Sequence, residues 1–239
     1  MNIRVLGDAA DVAEAGAGYI ADAARAAVER RGVFTLAVSG GHTPWAMLRA
    51  LAGRDLPWQR VRVLQVDERV VAAGDPDRNL EHLRGTLLAN APLPPGNIYA
   101  MPVDERDLET AAARYQRTLE TLAGSPPILD LVHLGLGPDG HTASLVPGDP
   151  VLELTGASVG ITGPYQEHRR MTLTYPVLDR ARAVLFVVTG EDKAEALARL
   201  SRRDGAIPAG RITNRHVVVL ADRAAAALLG EPAGRKGKR

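Results

Sequence analysis

The sequence predicts an α/β fold with one mostly parallel central sheet and helices on both of its faces. Three observations carry this. Apolar, β-branched runs recur at Val33–Val38, Val61–Val66, Leu129–Leu134, Ala183–Val188 and Val217–Leu220, as expected of strands buried on both faces. Stretches with helical spacing lie between them, the pattern of βαβ units. Several runs end in Gly, Ser, Asp or His, the residue types that line the crevice outside strand ends in such sheets.

Taken in order, Ile3–Leu6 reads as a short edge strand. Asp8–Arg31 is an Ala-rich helix that Asp8 or Asp11 can cap and Gly32 stops. After the Val33–Val38 strand, Ser39-Gly40-Gly41-His42 is a loop, and Thr43-Pro44 opens a helix to about Arg54, with Thr as N-cap and Pro at the first helical position. The Val61–Val66 strand ends in Asp67-Glu68-Arg69. Asn79–Ala89 is a helix, Ala91–Gly96 a Pro-rich connection and Ile98–Ala100 a short strand. Asp104–Ala123 is a helix with Leu108, Ala111, Ala112, Tyr115, Leu119 and Leu122 on one face. Gly124–Pro127 ends it before the Leu129–Leu134 strand. From Gly148 to about His168 no period is visible. Met171–Thr174 is a short strand, Val177–Ala181 one helical turn, and Gly190 precedes a helix from Glu191 to about Arg202. A short helix follows Pro208, and Arg223–Leu229 is the last helix. No internal repeat or linker divides residues 1–230, so one domain is expected, followed by a flexible basic tail over 231–239.

Composition narrows the function classes. Aromatic residues are 4% of the 239, too few for the stacking platforms of single-strand nucleic-acid binders. The formal net charge is +1, of which the tail Glu231–Arg239 holds +3, leaving −2 for the body. A near-neutral body does not fit nucleic-acid binding. There is no cysteine, which excludes disulfides and Cys-based metal sites and suits a cytoplasmic setting. No signal peptide or run of membrane-spanning length is visible.

Four segments carry chemistry. Ser39, Gly40 and Gly41 lie between a buried strand and a helix start, where free N–H groups and the helix dipole can cradle a phosphate; a plain strand–helix turn is the alternative. In Asp67-Glu68-Arg69, alternate residues share a direction, so Asp67 and Arg69 point into the crevice, while Glu68 belongs to the surface or to a structural pair. In Leu129–Gly148, Gly135, Gly137 and Gly140 permit a sharp turn that delivers Asp139 and His141. A neutral imidazole is the usual general base, and a nearby carboxylate can orient it or bind substrate hydroxyls. His133, inside the strand, reads as a core residue. Gly135–Gly140 matches GxGxxG, but Pro147 and Pro150 oppose the long helix that a dinucleotide site needs. No metal-ligand spacing is present, and no cofactor is expected. Finally, Lys193 in a helix first turn opposes the dipole, which makes sense if it faces an anion. Arg169 or Arg170 can serve similarly, with the other on the surface.

These segments together resemble one family. Leu36–Pro44 (LAVSGGHTP), Val66–Arg69 with Asn79-Leu80, Leu134–Gly148 (LGLGPDGHTASLVPG), and Arg170–Thr174 with Gly190–Lys193 are similar, in order and across nearly the whole chain, to 6-phosphogluconolactonases of the type related to glucosamine-6-phosphate deaminase. The resemblance implies a Rossmann-like fold and metal-free hydrolysis of 6-phospho-D-glucono-1,5-lactone, a sugar phosphate. It implies His141 as general base, and Asp139, Asp67 and Arg69 at the sugar end. Ser39, Gly40, Gly41, Lys193 and one of Arg169 and Arg170 would hold the phosphate. For the oxyanion of such a hydrolysis, backbone N–H groups of the glycine turn are candidate donors. His42 stands where the family usually has a small residue. In the deaminase a glutamate follows the loop histidine by five residues and a tyrosine takes the place of Arg69; here the first place is Val146. A non-enzymatic sugar-phosphate sensor on this fold would need a DNA-binding segment, and none is visible.

Overall fold

A computed structural model describes residues 1–230, apart from the side chain of His42. The basic tail, for which flexibility was expected, lies outside the described residues. Strands β1 (Asn2–Leu6), β2 (Phe34–Val38), β3 (Val61–Gln65), β5 (Ile98–Tyr99), β6 (Leu131–Leu134), β9 (Val184–Val188) and β10 (Val217–Asp222) form a seven-stranded sheet in the order β1-β10-β9-β6-β2-β3-β5. Every pairing in it is parallel. This is the Rossmann-like α/β arrangement that the sequence predicts, with β1 at an edge.

Alternation along the strands splits the core in two. Ala37, Val132, Leu134, Phe186 and Val219 face α4 (Leu108–Ala123), α5 (Tyr175–Arg180) and α6 (Ala194–Ser201). Leu36, Val38, Val63, Leu131 and Leu185 face α1 (Ala9–Arg31), α2 (His42–Ala52) and α3 (Asn79–Leu83). The period of two therefore sends neighbouring residues into opposite layers. Both layers remove apolar surface from water, the dominant favourable term in folding. Asp8 caps α1, accepting from the N–H groups of Ala10 and Asp11 at 2.8 and 3.0 Å, and Gly32 ends it at φ 75°.

Several expectations need correction. Asp67–Arg69 is not a tail of β3 but a separate strand, β4, in a small antiparallel sheet of order β4-β8-β7 with β8 (Arg170–Leu173) and β7 (Val159–Ile161). Val66 joins the two sheets: its N–H donates to Val38 O at 2.9 Å and its carbonyl accepts from Leu173 N–H at 2.8 Å. The second helix begins at His42 with Gly41 as its cap, not at Thr43. Pro44 then falls within the first four helical residues, where its missing N–H leaves nothing unpaired. Asn79–Ala89 is α-helical only to Leu83, then a wider turn over Arg84–Leu88. Residues 223–229 form turns rather than a helix, anchored by Ala226 N–H donating to Asp222 O at 3.0 Å.

Because the seven strands run the same way, their C-terminal ends share one edge. Strand order reverses between β2 and β6, the switch point at which such sheets bind ligands. The loops starting at Ser39 and Gly135 flank that point.

Candidate active site

A cleft of about 670 Å³ opens at the switch point, with Ser39, Gly40, Gly41, Asp67, Arg69, His141, Arg170 and Lys193 all on its wall. Eight of the ten site residues singled out from the sequence therefore meet there, drawn from both sheets. Asp139 and Arg169 do not line it.

On the Ser39 side, the N–H groups of Gly40 and Gly41 have no partner among the described residues, and Ser39 Oγ is buried without one. Buried polar groups are seldom left so, and three donors converging on a cleft suit an anion. Gly40 is required for a different reason: a Cβ there would lie 2.1 Å from Asn79 Oδ1. Asn79 in turn donates from Nδ2 to Asp67 O at 3.1 Å. Thr43 Oγ1 and Thr189 Oγ1, 2.6 Å apart, tie this loop to the one after β9. His133 is fully buried, and burial pushes its imidazole down to about 3. It is thus a neutral acceptor, receiving Ser39 N–H at Nδ1 over 3.4 Å.

The Asp67–Arg69 arm behaves as its alternation predicts. Asp67 and Arg69 face the cleft, and Glu68, fully buried, turns the other way. There Glu68 accepts from the N–H groups of Arg69, Asn79 and Leu80, each at 2.8 Å, and from Gln65 Nε2 at 2.7 Å. Ser144 Oγ donates to Asp67 Oδ2 at 2.6 Å. The β4–β8 register sets Arg69 opposite Arg170, and like charges so placed are destabilising. Arg170 is 5% exposed; burial works first to lower its pKa, the charge of Arg69 adds to this, and Asp67 opposes both. The adjacent Arg169 is exposed, its Nε donating to Thr162 O at 3.4 Å, because successive strand residues point to opposite faces. Lys193 caps α6 instead of lying in its first turn, and its Nζ pairs with Asp192 Oδ2 at 2.8 Å.

The glycine turn folds on itself. Gly137 N–H donates to His141 O at 2.8 Å and Gly140 N–H to Gly137 O at 3.0 Å, so neither is free as an oxyanion donor. A Cβ at Gly137 would stand 2.0 Å from His141 Nδ1. Asp139 contacts His141 directly: its Oδ1 lies 2.6 Å from His141 Nδ1 and accepts His141 N–H at 3.1 Å. Burial works to raise the Asp139 carboxyl, but the His141 backbone N–H, the charge and ring N–H of His141 and the Tyr165 hydroxyl outweigh it and hold the carboxyl low. Tyr165 was missed because its segment has no period. Asn79 and Ser144 were missed as site residues because only tertiary packing shows their partners. Among the described residues, no group of three or more His, Cys, Asp or Glu is placed to hold a metal ion, and no helix is long and apolar enough to cross a membrane.

Comparison with known proteins now adds kinship to geometry. The family described as Glucosamine-6-phosphate isomerases/6-phosphogluconolactonase matches residues 7–221. The chain belongs to this family. It is 40% identical to a 6-phosphogluconolactonase of Synechocystis sp. over 178 residues, 73% of this chain and 74% of that one. It is 36% identical to the 6-phosphogluconolactonase of Mycobacterium tuberculosis over 236 residues, 92% and 95% of the two chains. The crystal structure of 6-phosphogluconolactonase from Thermotoga maritima superposes with a TM-score of 0.83 at 26% identity, covering 92% of this chain and 98% of that one. A monomeric glucosamine-6-phosphate deaminase shares the fold with a TM-score of 0.84 at 19% identity, covering 95% of this chain and 100% of that one.

Proposed function

We propose that this protein is a lactone hydrolase that converts 6-phospho-D-glucono-1,5-lactone to 6-phospho-D-gluconate without a metal or cofactor, as one domain over residues 1–230 in the cytoplasm. The observation that carries the reading is that the Ser39 loop and His141 open onto the same cleft, together with three cations. Ser39, Gly40, Gly41, Lys193 and Arg170 hold the phosphate. Asp67 and Arg69 meet the sugar, with Arg69 close enough to Arg170 to share the anion's field. An anion there offsets the repulsion between the two guanidinium groups.

Binding energy from the phosphate, remote from the reacting bond, positions the lactone carbonyl. Asp139 holds His141 at Nδ1, which leaves Nε2 as the proton acceptor. Neutral His141 takes a proton from water as the water oxygen attacks C1. The tetrahedral intermediate then expels the ring oxygen, which receives that proton from the imidazolium, and the ring opens to the acid. The leaving group stays tethered and a lactone is already activated, so no covalent intermediate is needed. Val146, buried on the same loop, has no proton to give, which supports lactone hydrolysis over the deaminase's amine chemistry.

The test is lactone hydrolysis followed by acid release, with glucosamine 6-phosphate run alongside. His141→Ala is expected to lower kcat by about 10²–10⁴-fold with KM little changed. Near-full kcat in a folded His141→Ala protein would reject the assignment.

A further inference from the structure

The stretch between Ile161 and Arg170 brings an aromatic hydroxyl to the base. Its tip is a tight turn in which Tyr165 N–H donates to His168 O at 3.0 Å and His168 N–H to Tyr165 O at 3.3 Å. The two residues between them, Gln166 and Glu167, have φ of 48° and 71°. Such left-handed backbone is uncommon outside glycine and persists where surrounding contacts require it.

What the turn presents is Tyr165. Its hydroxyl donates to Asp139 Oδ2 at 3.1 Å and lies 3.3 Å from His141 Nδ1. Its ring meets the imidazole edge-on, with centroids 5.5 Å apart. The Arg170 guanidinium carbon stands 5.1 Å from the Tyr165 ring centroid. Arg170 Nη2 donates to Tyr165 O at 3.4 Å and to Gln166 Oε1 at 3.3 Å. Burial, then the neighbouring Asp139 charge and hydrogen bond, raise the phenol's pKa above its ordinary value, so the hydroxyl stays a donor at neutral pH.

The Asp139 carboxylate is thereby held at both oxygens, Oδ1 by His141 and Oδ2 by Tyr165. Without the phenol, only the Oδ1 contacts would restrain it, and the orientation of the imidazole would loosen with it. The same ring offers its face to a cation on the cleft wall.

We propose that Tyr165 is a positioning residue with two separable roles: its hydroxyl holds the Asp139 carboxylate against His141, and its ring seats the Arg170 guanidinium. The inference rests on the lactone-hydrolase reading of the same cleft. It links the proton-transfer end to the anion-binding end through one side chain.

Steady-state lactone hydrolysis by the wild type, Tyr165→Phe, Tyr165→Leu and His141→Ala tests this, with the melting temperature of each. Tyr165→Phe keeps the ring and loses the hydroxyl; kcat is expected to fall about two- to tenfold, the scale of one hydrogen bond, with KM unchanged. Tyr165→Leu loses both, so KM is expected to rise about five- to thirtyfold as well, the scale of a cation–π contact to a largely buried guanidinium. Wild-type kcat in Tyr165→Phe would overturn the first role, and equal KM in the two variants the second. Loss of kcat in parallel with a lower melting temperature would mark the residue as merely structural and overturn both. A silent Tyr165 in an enzyme that still depends on His141 sinks this inference alone; absence of wild-type turnover sinks it with the lactonase reading.

Discussion

Replacing Glu68 by Gln exchanges one carboxylate oxygen for an amide nitrogen beneath the cleft wall. Glu68 is 0% exposed, and each of its oxygens accepts two N–H bonds: Oε1 from Arg69 and Asn79, Oε2 from Gln65 and Leu80. Whichever way the new amide is set, its NH2 group faces two donors, so two bonds become donor–donor contacts. The Arg78 guanidinium, 2% exposed, also loses the charge that stands 3.5 Å from its Nε, keeping only Asp104 at 2.5 Å. Breaking a buried ion pair by removing one partner costs about 3–5 kcal/mol. For a chain of this length each kcal/mol moves the melting temperature by about 2–4 °C, so a fall of about 6–20 °C is expected. Urea unfolding of Glu68→Gln and wild type, with calorimetry beside it, measures this. A difference under about 1 kcal/mol would refute the idea that the Glu68 carboxylate is what anchors the Asp67–Arg69 arm.

Gly40→Ala drives a methyl to within 2.1 Å of Asn79 Oδ1; overpacking of this kind costs about 1–3 kcal/mol, and KM is expected to rise more than kcat falls. Initial rates that match the wild type would show that the loop accommodates the methyl. His133 has its pKa lowered by burial from 6.5 to about 3, so between those values the unfolded chain holds a proton that the folded one does not. Stability therefore rises with pH through that window, by up to about 1.4 kcal/mol per unit, and is flat above it. His133→Leu is expected to flatten the acid slope of urea midpoints taken from pH 7 to pH 4; unchanged slopes would contradict this. Lys193→Ala is expected to raise KM about tenfold or more, the scale of a hydrogen bond to a charged group, with kcat near wild type. An unaltered KM would remove Lys193 from the anion end.

Most of the parallel sheet was legible because strands buried on both faces are predominantly apolar, as Phe34–Val38 is but for Thr35 and Val184–Val188 is throughout. β4 and β7, three residues each, are too short to show a period, and one of them is wholly polar or charged. Arg223–Leu229 has helix-forming composition, but propensity is a weak prior that does not by itself make a short segment helical. The site loops were readable where glycine, serine and histidine follow directly on a strand. Choosing between Arg169 and Arg170 required the β4–β8 register, since adjacent strand residues differ only in the face they take. Tyr165 lay beyond reach: its turn is made by Gln166 and Glu167, which carry none of the usual turn chemistry, and its partner Asp139 is 26 residues away.

Val66 has a further consequence. A single fully buried residue is bonded through its amide to one sheet and through its carbonyl to the other. The wall that carries Asp67, Arg69 and Arg170 therefore cannot swing away from the wall that carries Ser39 without rupturing buried main-chain bonds. The span between the walls is thus set by main-chain bonds, and a ligand of the cleft must match it.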